Sequence, residues 1–176
     1  MRKTVVIPAN KVSEFENRLK GYGEKYFLFY LIGKNTLLKI KEIINLKTID
    51  VYDYNFNKVR DYIVIPTDKI IRKTRINSEL KMMIETYIIQ KELNNKNYLF
   101  HVKQKDKAMS RFRLHQVFKE CSRDVGITES VGILGAIRKT PLLNLYNKCG
   151  DINYISQLLN HKSIKRTQNY MNIESR

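Results

Sequence analysis

A chain of 176 residues, 43% of them apolar, is long enough for one domain with a real core. Thirty-three Lys and Arg against seventeen Asp and Glu leave a net charge of +16 and a pI near 9.8. That field draws polyanions, and nucleic acid is the leading partner because phosphate neutralisation is where such charge is useful. No apolar stretch approaches the ~20 residues a membrane helix needs, the opening MRKTVVIPAN has too short an apolar run for a signal peptide, and Cys121, Cys149, His101, His115 and His161 show no zinc-ligand spacing. The expectation is a soluble cytoplasmic protein with buried thiols.

Repeats and low-complexity tracts are absent, and glycine and proline are few, which favours a compact helical domain. In chain order, Ser13 is a candidate cap for a first helix with Val12, Phe15 and Leu19 inward. The stretch EKYFLFYLIG, 24–33, is apolar nearly all round and reads as a buried helix. A further helix is expected over 37–51, with Leu37, Ile40, Ile43, Ile44 and Leu46 inward. The period then changes. Residues 59–65 and 70–76 are β-branched runs separated by PTDK, a β-hairpin, with a candidate third strand near 51–56.

Ser78 opens a long helix with Leu80, Met83, Ile84, Tyr87 and Ile88 on one face. Ser110 caps another, with Leu114, Val117, Phe118 and Cys121 inward, and Gly126 stops it. Residues 127–136 read as loop or turn. Thr140-Pro141 suits a helix start, although an earlier start with a kink there also fits. Gly150-Asp151 is a stop followed by a cap, and 151–160 form a short helix with Ile152, Ile155, Leu158 and Leu159 inward. Ser163 caps a last helix through Met171. Seven or eight helices with one small antiparallel sheet make a mainly α, α+β domain.

The last third carries the chemistry. The segment GAIRKTPLLNLYNKCGDINYISQLLNHKSIKRTQNYM, 135–171, resembles the C-terminal signature of tyrosine recombinases, the phage-integrase type. That signature has a His-x-x-Arg step, a helix, a leucine-leucine-glycine-His step, and a tyrosine nine residues after that His. TLLKIKEIINLKTIDV, 36–51, is similar to the family's first arginine motif, with Glu42, Asn45, Leu46 and Asp50 in register, and IPANKVSEFENRLK resembles the entry to the catalytic domain. The resemblance spans roughly residues 7 to 173.

It implies that Tyr170 is the nucleophile, Arg138 the second arginine and His161 the second histidine, with Lys69 the hairpin lysine and Lys73 its rival. Two positions depart from the pattern: Lys39 stands where the first arginine belongs, and Gly135 where the first histidine belongs. Lysine keeps the charge but loses the fork that orients a phosphate. Glycine removes a donor and a possible base. The double substitution Lys39→Arg with Gly135→His is therefore expected to raise cleavage if the pocket is otherwise intact.

The chemistry suits these residue types. A phenol is a weak nucleophile until a base or cations activate it. Attack on a phosphodiester builds negative charge that arginine neutralises by paired hydrogen bonds, and a lysine can protonate the departing 5′ oxygen. The resemblance implies a catalytic domain filling 1–176 with no N-terminal core-binding domain, a 3′-phosphotyrosine intermediate on double-stranded DNA, no cofactor, and nucleoid association. It also implies a monomer without DNA and a possible oligomer on it. Lys139, Lys162, Lys165 and Arg166 are the expected DNA-binding residues. A second reading is a catalytically inactive, sequence-specific DNA-binding regulatory module, because DINYISQLLNHKSIKRTQNY also reads as helix, turn and basic helix. A third, an RNA-binding or scaffold protein, calls for exposed aromatics on a sheet face, of which the sequence shows little sign.

Overall fold

A computed structural model of the protein describes residues 5–66, 71–102, 106–129 and 131–173. The chain enters through a 3-10 turn at Ala9–Lys11 and continues into α1, Val12–Tyr22. The 3-10 turn places Ser13 inside the helix rather than at its cap, and Lys11 holds the cap position. Phe15 and Leu19 are fully buried as the spacing predicts.

Helix α2, Glu24–Thr36, is buried over most of its length, so its sequence needs no apolar stripe. At Gly33 it meets the C-terminal third: a β-carbon there would lie 2.6 Å from Cβ of Ile137.

The single helix expected over 37–51 is instead two short ones, α3 (Ile40–Ile44) and α4 (Thr48–Val51). Leu37 ends α2 in the left-handed region, φ 53°. Residues 46–48 give up helical bonding to pair with a distant segment: Leu99 N donates to Leu46 O (2.8 Å), Thr48 N to Asn97 O (3.0 Å), and Lys47 bridges Tyr98. Glu42 and Asp50 then accept from the backbone N–H of Lys39 (2.6 Å) and Lys47 (2.8 Å), satisfying the donors that open each helix.

Two separate two-stranded antiparallel sheets follow. β1 (Tyr52–Asp53) pairs β2 (Lys58–Val59), and β3 (Tyr62–Pro66) pairs β4 (Ile71–Arg75) in a register that sets Tyr62 opposite Arg75 and Val64 opposite Lys73. The candidate third strand near 51–56 thus pairs with 58–59, not with the hairpin.

Helix α5, Ser78–Gln90, is capped by Asn77, whose side chain accepts from Leu80 N at 2.8 Å. Helix α6, Arg111–Asp124, is capped by Ser110, which accepts from Arg113 N at 3.1 Å. Residues 127–136 are not all loop. Helical backbone begins at residue 133 and widens into a π-turn over Gly135–Lys139 before α7, Thr140–Cys149. This is the earlier of the two starts the sequence allowed. Pro141 supplies no N–H, which a widened turn before it accommodates.

Gly150 ends α7 with φ 67°, a conformation glycine adopts at no steric cost. Asp151 caps α8, Ile152–Leu158, accepting from the N–H groups of Asn153 and Tyr154. Leu158, expected inward with Leu159, is 42% exposed, while Leu159 packs against the smaller cluster as expected. Ser163 caps α9, Ile164–Met171, accepting from Arg166 N at 3.3 Å.

The main core joins α1, α2, α5 and α6 around Phe15, Phe29, Tyr30, Phe100 and Phe118. Each such side chain contributes about 1.5–3 kcal/mol by leaving water. A second, smaller cluster gathers Leu142, Ile155 and Met171, with Leu37 and Tyr170 packed against it. A relay braces the two: Ile7 N donates to Thr140 Oγ1 (2.9 Å), which donates to the carbonyl of Gly135 (2.9 Å).

Candidate active site

Four side chains lie near one another where the π-turn faces α9, His161 and Lys139 against the Tyr170 ring and Arg138 close enough for its charge to act on His161 and Tyr170. Arg138 and Lys139 lie at the end of that turn. His161 follows Asn160, which takes the left-handed conformation (φ 51°) between α8 and α9. Glycine suits that conformation best and asparagine next, so LLNH serves where a leucine-leucine-glycine-His step would. Tyr170 lies in the last turn of α9.

The His161 and Tyr170 rings meet edge to face, centroids 5.6 Å apart. His161 Nδ1 lies 2.9 Å from Oγ1 of the fully buried Thr167, which fixes the imidazole. Residues 167, 170 and 171 share one side of α9. That side is turned inward, so Thr167 and Met171 anchor the helix while Tyr170 is carried to the edge of the cluster. The sequence reading missed Thr167, although its spacing from Tyr170 could have marked it.

The electrostatics follow from burial and from Arg138. Burial pushes the Tyr170 phenol above its ordinary value, and the Arg138 charge pulls it back part of the way. Burial lowers His161, as do the charges of Arg166 and then Arg138, so the imidazole is neutral at pH 7. Burial alone lowers Lys139. Two polar atoms here, Arg138 Nε and the Tyr170 hydroxyl, are buried without a hydrogen-bond partner. Natural interiors seldom leave such groups unmatched, and a guanidinium beside a phenol fits an anion between them.

The remaining candidates are placed as follows. Lys39 is largely exposed, with Nζ 4.0 Å from Glu42 Oε1, and it is two residues from Leu37, which packs in the Tyr170 cluster. Lys69 lies outside the described residues, and Lys73 is exposed on β4. Lys162, Lys165 and Arg166 are exposed on and just before α9, beside an open groove of about 420 Å³ that runs past Ser156, Asn160, His161 and Ser163. Lys139 differs from them. It is 5% exposed, and its Nζ stands 5.1 Å from the centroid of the Tyr170 ring.

Gly135 is enclosed as well. A β-carbon there would come within 1.9 Å of the Val5 carbonyl oxygen. No histidine enters while the N-terminal segment keeps its course, so the gain expected of Gly135→His has no room to occur. Among the described residues, no group of three or more His, Cys, Asp or Glu is placed to hold a metal ion, and no helix is long and apolar enough to cross a membrane.

The family model described as "Phage integrase family" matches residues 11–176. The chain belongs to that family. It is 25% identical over 164 residues to the "Probable integrase/recombinase YoeC" of Bacillus subtilis (strain 168), which covers 93% of this chain and 86% of that protein. Its fold is that of the tyrosine recombinase catalytic domain. The XerA recombinase crystal structure superposes with a TM-score of 0.75 at 19% identity, over 99% of this chain and 61% of XerA. XerH bound to a palindromic difH substrate, in a post-cleavage complex, gives 0.75 at 17% identity, over 99% of this chain and 51% of XerH. A lambda integrase dimer bound to a core site gives 0.69 at 14% identity, over 100% of this chain and 50% of that one. The phage-integrase chain described here therefore spans between half and two thirds of those recombinase structures.

Proposed function

We propose that the protein breaks and rejoins double-stranded DNA through a covalent phosphotyrosine intermediate. Tyr170 Oη attacks a backbone phosphorus and loses its proton, the bond from phosphorus to the 5′ oxygen breaks, and that oxygen leaves as a hydroxyl after taking up a proton. The chain end stays joined to the protein as a 3′-phosphotyrosine, and the reverse attack by a 5′ hydroxyl reseals the strand. Arg138 neutralises the charge that builds on the non-bridging oxygens. Neutral His161 binds the phosphate or assists proton transfer. Lys162, Lys165 and Arg166 grip the neighbouring backbone.

One observation carries the reading: Arg138 Nε and the Tyr170 hydroxyl are both buried without partners in the site where His161 packs on the tyrosine ring. The relatives support it by name, being recombinases and an integrase, with XerH and lambda integrase bound to DNA.

A labelled pool of randomised duplexes carrying a central nick tests it. Wild-type protein is expected to retain label through denaturing electrophoresis, and Tyr170→Phe to retain none. Absence of adduct from wild type across the pool, with duplex binding intact, would establish the second reading, a DNA-binding module without catalysis. That reading has its own support in Lys39, which is exposed and lacks the arginine fork, and in Gly135, which has no space for a histidine.

A further inference from the structure

Lys139 is buried, yet no described acidic group pairs with it. Among the described residues it is the one charged side chain in the buried set, and neither an ion pair nor a hydrogen bond is formed by its ammonium there. Burial of the side chain partly desolvates its ammonium and lowers its pKa, with no described anion to offset the cost. Something at this position offsets that cost. The partner the structure gives it is the Tyr170 ring, 5.1 Å from Nζ to centroid, well within the range in which a ring face attracts a cation.

We propose that Lys139 is a positioning residue for the strand-cleavage reaction, holding the Tyr170 ring by its face while His161 holds it by an edge-to-face contact. The proposal rests on the reading of Tyr170 as nucleophile. Two contacts of different kinds restrict both side-chain torsions of the tyrosine, so the hydroxyl is aimed before DNA arrives, and correct aim is worth large factors in rate. An apolar neighbour packs a ring equally well in every protonation state. A cation does not: its attraction grows when the phenol gives up its proton, because the ring then carries more negative charge. The interaction is thus stronger on the way to reaction than at rest, the condition for accelerating a step rather than tightening a complex. Lys139 also follows Arg138 directly at the end of the π-turn, so the widened turn delivers the group that binds phosphate and the group that aims the nucleophile together.

The test compares wild type, Lys139→Met and Lys139→Arg. With ring-13C-labelled tyrosine, the Tyr170 signal is assigned by its loss in Tyr170→Phe. Lys139→Met is expected to shift that signal in DNA-free protein and to slow single-turnover adduct formation at saturating nicked duplex by about tenfold or more. The loss falls on the rate at saturation, not on duplex affinity, and the thermal midpoint stays level or rises because a buried charge has gone. Lys139→Arg returns both the ring signal and the rate toward wild type. An unmoved Tyr170 signal in Lys139→Met, or equal behaviour of the Met and Arg variants, would overturn the proposal. Should the Met variant fail to fold, Lys139→Gln takes its place under the same two criteria. If wild type forms no adduct at all, the reading of Tyr170 as nucleophile fails, and a Tyr170 signal that still moves in Lys139→Met shows that failure to be separate from the ring contact.

Discussion

His161 and Thr167 are bonded across the first turn of α9, Nδ1 to Oγ1 at 2.9 Å, and the same imidazole packs on Tyr170. The hydroxyl is buried, so replacing it with a methyl group leaves the imidazole nitrogen without its partner. Thr167→Val is expected to lower stability by about 1 kcal/mol and to reduce adduct formation more than it reduces duplex binding. Urea unfolding together with a filter-binding assay checks both.

His161 also sets a pH window. Its folded pKa lies below the ordinary 6.5, so the unfolded chain binds more protons between the two values and stability rises with pH there. The full contribution is present above pH 6.5 and is lost as pH falls through the folded value. Urea midpoints measured from pH 7.5 down to 5 are expected to fall more for wild type than for His161→Gln. Tyr170 behaves in the opposite region. Its phenol ionises above the ordinary 10, and Arg138 limits the rise. Arg138→Gln is therefore expected to move the Tyr170 titration upward, read from its ring-13C signal.

Gly135 and Val5 decide a second set of variants. Gly135→Ala is expected to cost about 1–3 kcal/mol, the range for overfilling a packed site, because a backbone carbonyl cannot swing aside as a side chain can. Gly135→His is expected to cost more and to cancel any gain from Lys39→Arg, which by itself restores a fork and should speed cleavage. Unfolding midpoints and adduct yields for the two single variants and the double variant check this.

Gly33 offers a cleaner packing test, since its obstacle is the side chain of Ile137, 2.6 Å from where a β-carbon would lie. Gly33→Ala should destabilise by about 1–3 kcal/mol. Adding Ile137→Val should recover part of the loss, with a coupling above about 0.5 kcal/mol in a double-mutant cycle. Because Ile137 precedes Arg138, the single variant should also slow adduct formation.

Salt separates the exposed cations. Lys165→Ala and Arg166→Ala are each expected to weaken duplex binding across sequences and to reduce the slope of log affinity against log salt by about 1. Titrations between 50 and 200 mM salt, a range of about a factor of four that spans the steep region, measure it.

Much of the helical frame was legible because its signals are local. The face of α5, the caps at Ser110, Asp151 and Ser163, and the stop at Gly150 each depend on residues within a turn of one another. The break at 45–47 was not, because residues 97–99 supply the bonds that replace helix there. Nor was the π-turn, whose widening depends on Pro141 ahead and α2 behind. At the site, Arg138, His161 and Tyr170 were singled out by the resemblance to the integrase signature, and the structure sets them near one another. Lys139 was expected among the DNA-binding residues with Lys162, Lys165 and Arg166; unlike them it is buried, at the end of the π-turn. The enclosure of Gly135 depends on Val5, 130 positions earlier, which no local pattern encodes.

The relay from Ile7 through Thr140 to Gly135 spans 133 residues between its first donor and acceptor. During synthesis the opening segment must therefore wait, unclasped, until almost the whole domain has left the ribosome. The turn that carries Arg138 is then among the last features of the fold to lock.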